Sequence, residues 1–272
     1  MRRLTWFNAT SLTLGFAFLY LPMLILIVYS FNESKLVTVW AGFSTKWYGT
    51  LIQNEAFLDA AWVTIQVAVV SSTIATVLGT MAALVLVRAG RFYGRTLFSG
   101  MIYAPLVMPE VITGLSLLLL FIGIGLDRGI FTIILAHTTF SMCFVSVVVS
   151  SRLVTFDRSL EEAALDLGCS HFDAFRLVTL PIIAPAVISG WLLAFTLSLD
   201  DLVIASFTAG PSATTLPIKI WSSIRLGVSP EINALSTIMI GIVTVGVISA
   251  SLVSKRALVK QRREEQEAVR TA

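Results

Sequence analysis

Six stretches of continuous apolar sequence, roughly residues 12 to 31, 61 to 87, 97 to 123, 130 to 150, 182 to 208 and 234 to 254, constrain this chain more than any other feature. Each is close to the 20 or so residues that a helix needs to cross the hydrocarbon core of a bilayer. Lys and Arg stay out of all six until their ends. In hydrocarbon the backbone must satisfy its own hydrogen bonds, which leaves helices and closed barrels as spanning structures. A barrel strand alternates apolar and polar residues over about ten positions, whereas these runs are unbroken, so the expectation is an all-α transmembrane protein. Only 13% of the residues are charged, about half the usual proportion of roughly 25%, which excludes a soluble cytosolic enzyme and a disordered chain. Arg2 and Arg3 precede the first stretch as they would in a secretion signal. That stretch is long for a signal core and lacks a small-residue cleavage pattern at Ser30-Phe31-Asn32, so it reads as an uncleaved span.

Orientation follows from the segments between spans. Fourteen Lys and Arg lie in the set that includes both termini, against five in the opposite set, namely Lys35, Lys46, Arg128, Lys219 and Arg225. The positive-inside bias then places both termini in the cytoplasm, with six spans between them. The net charge of +3 is spread over short loops and the C-terminal tail, without a basic patch interleaved with aromatics, so nucleic acid is not an expected partner. Cys143 and Cys169, one in a span and one in a loop, imply neither a disulfide framework nor a metal site. No phosphate-binding loop of the G-x-x-x-x-G-K-[ST] type occurs. Energy for any active transport must therefore come from an ion gradient or from another subunit.

The segment from residue 151 to 181, between spans four and five, is too polar to span and too patterned to be a linker. Ser159-Leu160-Glu161-Glu162 fits a capping box. Leu160, Ala163, Ala164 and Leu167 recur at helical spacing, and Gly168 suits a left-handed stop. Ser170 can cap a second short helix carrying Phe172 and Phe175, ended by Pro181 at the membrane. From periodicity alone the segment is either an amphipathic hairpin lying on the protein's own surface or a helical knob offered to a partner.

The order of residues sharpens that choice. Glu162-Ala163-Ala164, three residues, Gly168, nine residues, then Val178-Thr179-Leu180-Pro181 resembles the EAA motif of permease subunits in ATP-binding-cassette importers, with Val178 where the family pattern has Ile. Leu106 to Gly114, Leu197-Ser198-Leu199-Asp200-Asp201, Gly210-Pro211 followed by Thr214-Thr215-Leu216-Pro217, and Ser229 to Ala234 are similar to the spermidine and putrescine branch of that family. The resemblance extends over nearly the whole chain. It implies a six-span type I importer permease of the MetI-like kind, a single transmembrane domain over residues 1–272 with the coupling loop inside it. It also implies a transport subunit in the cell inner membrane, not an enzyme, moving polyamines by alternating access, putrescine more than spermidine. Its partners would be a second homologous permease chain, an ATPase homodimer that binds the ATP and magnesium, and a periplasmic polyamine-binding protein. The knob would be the coupling helix, with Glu161, Glu162, Ala163, Ala164, Gly168, Leu180 and Pro181 meeting the ATPase.

Three carboxylates, Glu110, Asp200 and Asp201, fall inside the expected spans, where each costs at least about 2.5 to 3.5 kcal/mol. They either bond to neighbouring helices or line an aqueous path for a cationic substrate. Adjacent helical residues point about 100° apart, so Asp200 and Asp201 cannot both face that path. Pro105 and Pro109 should kink span three beside Glu110. His137 reads as a neutral histidine bonded to neighbouring helices in preference to a proton relay. Trp40, Trp47, Tyr48 and Trp62 suit either an interfacial belt or contact with an external partner, and the tail from Lys255 to Ala272 a solvated helix that can touch anionic lipid. The rival reading is a secondary transporter of a cationic substrate coupled to protons or sodium through Glu110 and the Asp200-Asp201 pair. It leaves the EAA order unexplained.

Overall fold

The computed structural model describes residues 5–36, 39–226, 229–245 and 248. Among these the regular structure is helical, apart from one isolated bridge between Asn32 and Phe43. Four helices are long and apolar enough to cross a membrane: α1 (Trp6–Ser30), α3 (Glu55–Arg88), α6 (Ile130–Val154) and the continuous His171–Asp200. The last comprises a first turn α8 (His171–Ala174), a π-helical turn Phe175–Thr179 and α9 (Leu180–Asp200). A fifth crossing would be the pair α4 (Arg95–Val107) and α5 (Glu110–Gly123), which meet at a bend of 117°. Shorter elements are α2 (Lys46–Gln53), α7 (Ser159–Asp166), α10 (Val203–Thr208), α11 (Leu216–Leu226) and the apolar α12 (Pro230–Val245). The sixth expected span, 234 to 254, lies partly outside the described residues, as does the whole tail from Lys255.

Three boundaries differ from the sequence expectation, each for a backbone reason. Span three is two helices rather than one kinked helix. Met108, which precedes Pro109, is extended at φ −76°, ψ 136°, as the proline ring requires of its predecessor, and Pro109 then opens α5 without needing a donor. Pro105 stays inside α4, so it is Pro109 that breaks the span. Span five stops at Asp200, where Asp201 turns extended and a new short helix begins at Val203. Pro181 does not end the second knob helix, because the chain runs helically through it. The π-turn immediately before it loosens the ladder where the missing Pro181 N–H and its crowding of the carbonyl four residues back would otherwise break it.

The described residues fall into two compact units. One takes the described part of Met1–Glu55 and Ser223–Ala272. In it the Asn32 side chain organises the connection after α1, donating to the Val39 carbonyl (2.7 Å) and accepting from the Ala41 and Ser34 amides. Trp47 donates to the Asn32 carbonyl (2.8 Å), Tyr48 bonds Ser30 (2.7 Å), and Phe31 stacks on Phe43. Trp47 is therefore buried structure, while Trp40 and Trp62 are exposed.

The other unit is Ala56–Ser222. Here α3 presents a stripe of small residues, Ala68, Ser71, Ser72, Ala75, Thr76, Gly79 and Ala83, at three- and four-residue spacing, all buried. Small side chains let helix backbones approach closely, which is how helices gain contact in lipid. At Gly79 the approach is tightest: an added Cβ would lie 2.7 Å from the Met142 carbonyl and 2.8 Å from the Val145 Cβ of α6. Val145, Val149 and Leu153 of α6 then join Ile183 and Ala194 of α9 and Ala83 of α3 in one buried cluster. A second cluster sets Ala136 and Phe140 of α6 against Ile204 of α10.

Candidate functional sites

The 151 to 181 segment forms the knob. Its first helix, α7, does not begin with the expected capping box: Ser159 is already helical, and Arg158 in the cap position makes no side-chain cap bond. Asp157 supplies the start, its Oδ1 accepting from the Ser159 amide at 3.0 Å. That amide and the Ser159 hydroxyl hold the Asp157 carboxyl below the usual carboxylate range. The other end follows the sequence closely. Gly168 sits at φ +90°, the Cys169 amide bonds the Ala164 carbonyl (3.1 Å) and the Gly168 amide the Leu165 carbonyl (2.9 Å), a pair of bonds that defines a Schellman stop. Ser170 caps α8, accepting from the Asp173 amide (3.2 Å) and donating to the Asp173 carboxylate (2.6 Å).

The four small and apolar residues expected on one face of α7 divide. Ala164 is buried, while Leu160, Ala163 and Leu167 are exposed, Leu167 to 87%. Glu162, Gly168 and Phe172 are exposed with them, whereas Leu180 is half-buried against the α6–α9 cluster and Pro181 is exposed at the start of α9. The knob thus turns an apolar, small-residue surface outward from its own chain. Glu161 does not belong to that surface. It pairs with Arg88, the last residue of α3, and the Arg88 guanidinium lies over the Phe156 ring, 4.9 Å from its centroid.

The acidic residues of the spans separate in the same way. Glu110 is the first residue of α5, exposed at the 117° break. Asp200 is exposed at the end of α9. Asp201 is engaged: its side chain is only 8% exposed, and it accepts from the Ala205 amide (2.7 Å) and the Ile204 amide (3.2 Å), holding the first turn of α10. Its Oδ2 also lies 3.0 Å from His137 Nε2, and His137 Nδ1 lies 2.6 Å from Ser198 Oγ. A carboxylate oxygen accepts, so His137 Nε2–H is the donor to Asp201, and the other ring nitrogen pairs with the Ser198 hydroxyl. Ser198 Oγ in turn lies 3.2 Å from Ser71 Oγ of α3. A buried polar chain therefore runs from α3 through α9 and α6 to the α9–α10 break. His137 is bonded to neighbouring helices, as its sequence context suggests, and Asp201 is the partner that sequence reasoning missed. The signal was available: polar groups at membrane depth pair with one another, and His137 was the one buried imidazole in reach of a carboxylate pair.

The break between Asp200 and Val203 is braced from α5, where Gly114 lets Phe207 of α10 lie against the helix; an added Cβ there would be 2.6 Å from the Phe207 ring. Among the described residues no group of three or more His, Cys, Asp or Glu side chains gathers as a metal site.

Over residues 75–263 the sequence matches the family described as "Binding-protein-dependent transport system inner membrane component". It is 59% identical over 251 residues to the putrescine transport system permease protein PotI of Escherichia coli K12, covering 90% of this chain and 89% of that one. To the spermidine/putrescine transport system permease protein PotC of the same strain it is 45% identical over 244 residues, 90% and 92% of the two chains. Among solved structures, a bacterial importer of the acidic polysaccharide alginate superposes with a TM-score of 0.69 at 18% identity, over 91% of this chain and 94% of that one. The inward-facing methionine transporter MetNI superposes with a TM-score of 0.59 at 16% identity, over 76% and 95%. These two share the fold.

Proposed function

Since the chain belongs to the family of inner membrane components of binding-protein-dependent transport systems, a transport component and not an enzyme, we propose that it is the permease subunit of an ATP-driven polyamine importer, serving putrescine more than spermidine. The likeness to PotI exceeds that to PotC by 59% against 45% identity, which supports the order of the two substrates. In this reading the chain has six spans with both termini cytoplasmic. It pairs with a second homologous permease, two ATPase subunits that bind ATP and magnesium, and a periplasmic binding protein.

The observation that carries the coupling role is the outward surface of α7. Leu160, Glu162, Ala163, Leu167 and Gly168 are exposed in the order of the EAA motif, on a helix stopped rigidly at both ends. An apolar surface with a rim charge suits the groove of a partner protein. The ATPase closes on nucleotide, displaces this knob, and so drives the spans between outward-open and inward-open arrangements. Glu110 and Asp200, both exposed and each beside a helix break, are the carboxylates that attract the ammonium groups of a diamine along the path. Asp201 is spent on His137 and α10, so it serves the path by shaping it.

The test is to express the chain with its neighbouring subunits, purify it by a tag in mild detergent, and measure ATP hydrolysis with and without putrescine-loaded binding protein. A stoichiometric complex with an ATPase and a second permease, stimulated by the loaded protein, is the expected result. A chain that purifies alone and takes up putrescine into ATP-free liposomes under an ion gradient would overturn the reading.

A further inference from the structure

Three contacts fasten the knob to the end of α3. Arg88 pairs with Glu161 of α7. Its guanidinium also covers Phe156, 4.9 Å from the ring centroid. Arg158 Nη2 donates to the Val87 carbonyl at 3.1 Å. A fourth bond, from Arg95 Nη2 to the Leu86 carbonyl (2.7 Å), comes from α4. The last turn of a helix offers unpaired carbonyls and a partial negative charge, and here cationic side chains from the flanking elements take both. Arg88 and Glu161 are each mostly buried, with side-chain exposures of 19% and 25%. Such a pair is held in place more firmly than an exposed one, and breaking it leaves a charge that the site cannot easily solvate.

The same helix carries Ser71, which bonds Ser198, which bonds His137, which bonds Asp201 beside Asp200. From Ser71 to Arg88 is seventeen residues, about 25 Å of helix at 1.5 Å per residue. The segment between contains no proline, and Gly79 locks it against α6. One end of a rigid rod is therefore clasped by the knob, and its middle is hydrogen-bonded to the network that fixes the α9–α10 break. We propose that Arg88 is a positioning residue which, through Glu161, passes displacement of the knob into α3 and so to the carboxylates at that break. This rests on the coupling reading above and assigns Glu161 to the inward joint, leaving Glu162 for the ATPase surface. A demonstrated change in coupling, not proximity alone, is what establishes such a route.

The experiment uses the assembled importer, with the wild-type complex first shown to hydrolyse ATP in response to putrescine-loaded binding protein. If the wild-type complex does not, the importer reading fails, and the failure is separable from that of the joint. The quantity measured is ATP hydrolysed per putrescine taken up into proteoliposomes, per mole of assembled complex. Arg88→Ala and Glu161→Gln should each raise that ratio about fivefold or more, the range of an ordinary coupling energy. The double variant Arg88→Ala with Glu161→Gln should raise it no further than the larger of the two single changes does, as a double-mutant cycle requires of a direct pair. A contact that only stabilises the fold lowers the yield of complex and leaves the ratio alone. Where Arg88→Ala does not assemble, Glu161→Gln, which keeps the side-chain volume, decides. An unchanged ratio in assembled single variants, or a double variant whose effect is the product of the two single effects, would overturn the proposal.

Discussion

At the scale of single residues, two neighbouring aspartates have opposite fates. Asp201 accepts from two backbone amides and from His137, whereas Asp200 stands exposed one residue earlier. Asp201→Ala leaves the imidazole and two N–H groups without their acceptor and should cost about 2 kcal/mol, the range for removing a buried partner of this kind. Asp200→Asn should change stability by no more than about 0.5 kcal/mol while lowering putrescine uptake per molecule. Reversible unfolding in mixed micelles, run beside uptake assays, separates the two; equal destabilisation by both would refute the assignment. Glu110, free at the start of α5, belongs with Asp200. Glu110→Gln should lower uptake of a diamine more than it lowers protein abundance, and parallel losses would instead mark a folding role. From the sequence, helix geometry turns one of Asp200 and Asp201 away from the path, without saying which. The hydrogen bonds of Asp201 come from a helix 64 residues away and from the turn that follows it, which no local pattern announces.

At the scale of elements, glycine does two different jobs. Gly168 at φ +90° has no neighbour within 4 Å of an added Cβ, so a side chain there meets open space and alters only the outward surface and the stop of α7. Gly168→Asp should therefore abolish uptake while leaving insertion and abundance near wild type, measured by quantitative blotting of membranes beside transport. Gly79 is the reverse case, closed in by Met142 and Val145. Gly79→Val should force α3 from α6 at a cost of about 1 to 3 kcal/mol, typical of overpacking, visible as reduced resistance to thermal unfolding of the purified chain. A Gly79→Val variant as stable as wild type would show that the α3–α6 contact yields easily. The stop at Gly168 and the cap at Ser170 were legible because each needs only its own few residues. The start of α7 lies one residue earlier than a Ser159 cap would put it, because Asp157 accepts from the Ser159 amide, the group that Glu162 would reach back to in a capping box.

At the scale of the whole molecule, the coupling role requires the knob to lie on the cytoplasmic side of the membrane. The two natural cysteines check this without engineering. Cys143 is buried in α6 with its thiol turned to the Phe140 carbonyl, whereas Cys169 lies partly exposed in the knob. A membrane-impermeant maleimide should label Cys169 in inside-out vesicles and spare it in intact spheroplasts; the opposite pattern would place the knob outside and end the case for an ATPase partner. Hydropathy and the order of motif residues by themselves determined a helical membrane chain, the place of its knob along the sequence and its likeness to importer permeases, because each of these is a property of consecutive residues. The tertiary structure alone decided that span three breaks by 117° at Pro109, that Asp201 is spent on His137, and that Glu161 turns inward to Arg88 from 73 positions away. A buried polar group takes whichever partner the packing of distant helices brings within about 3 Å, and that distance is written only in three dimensions.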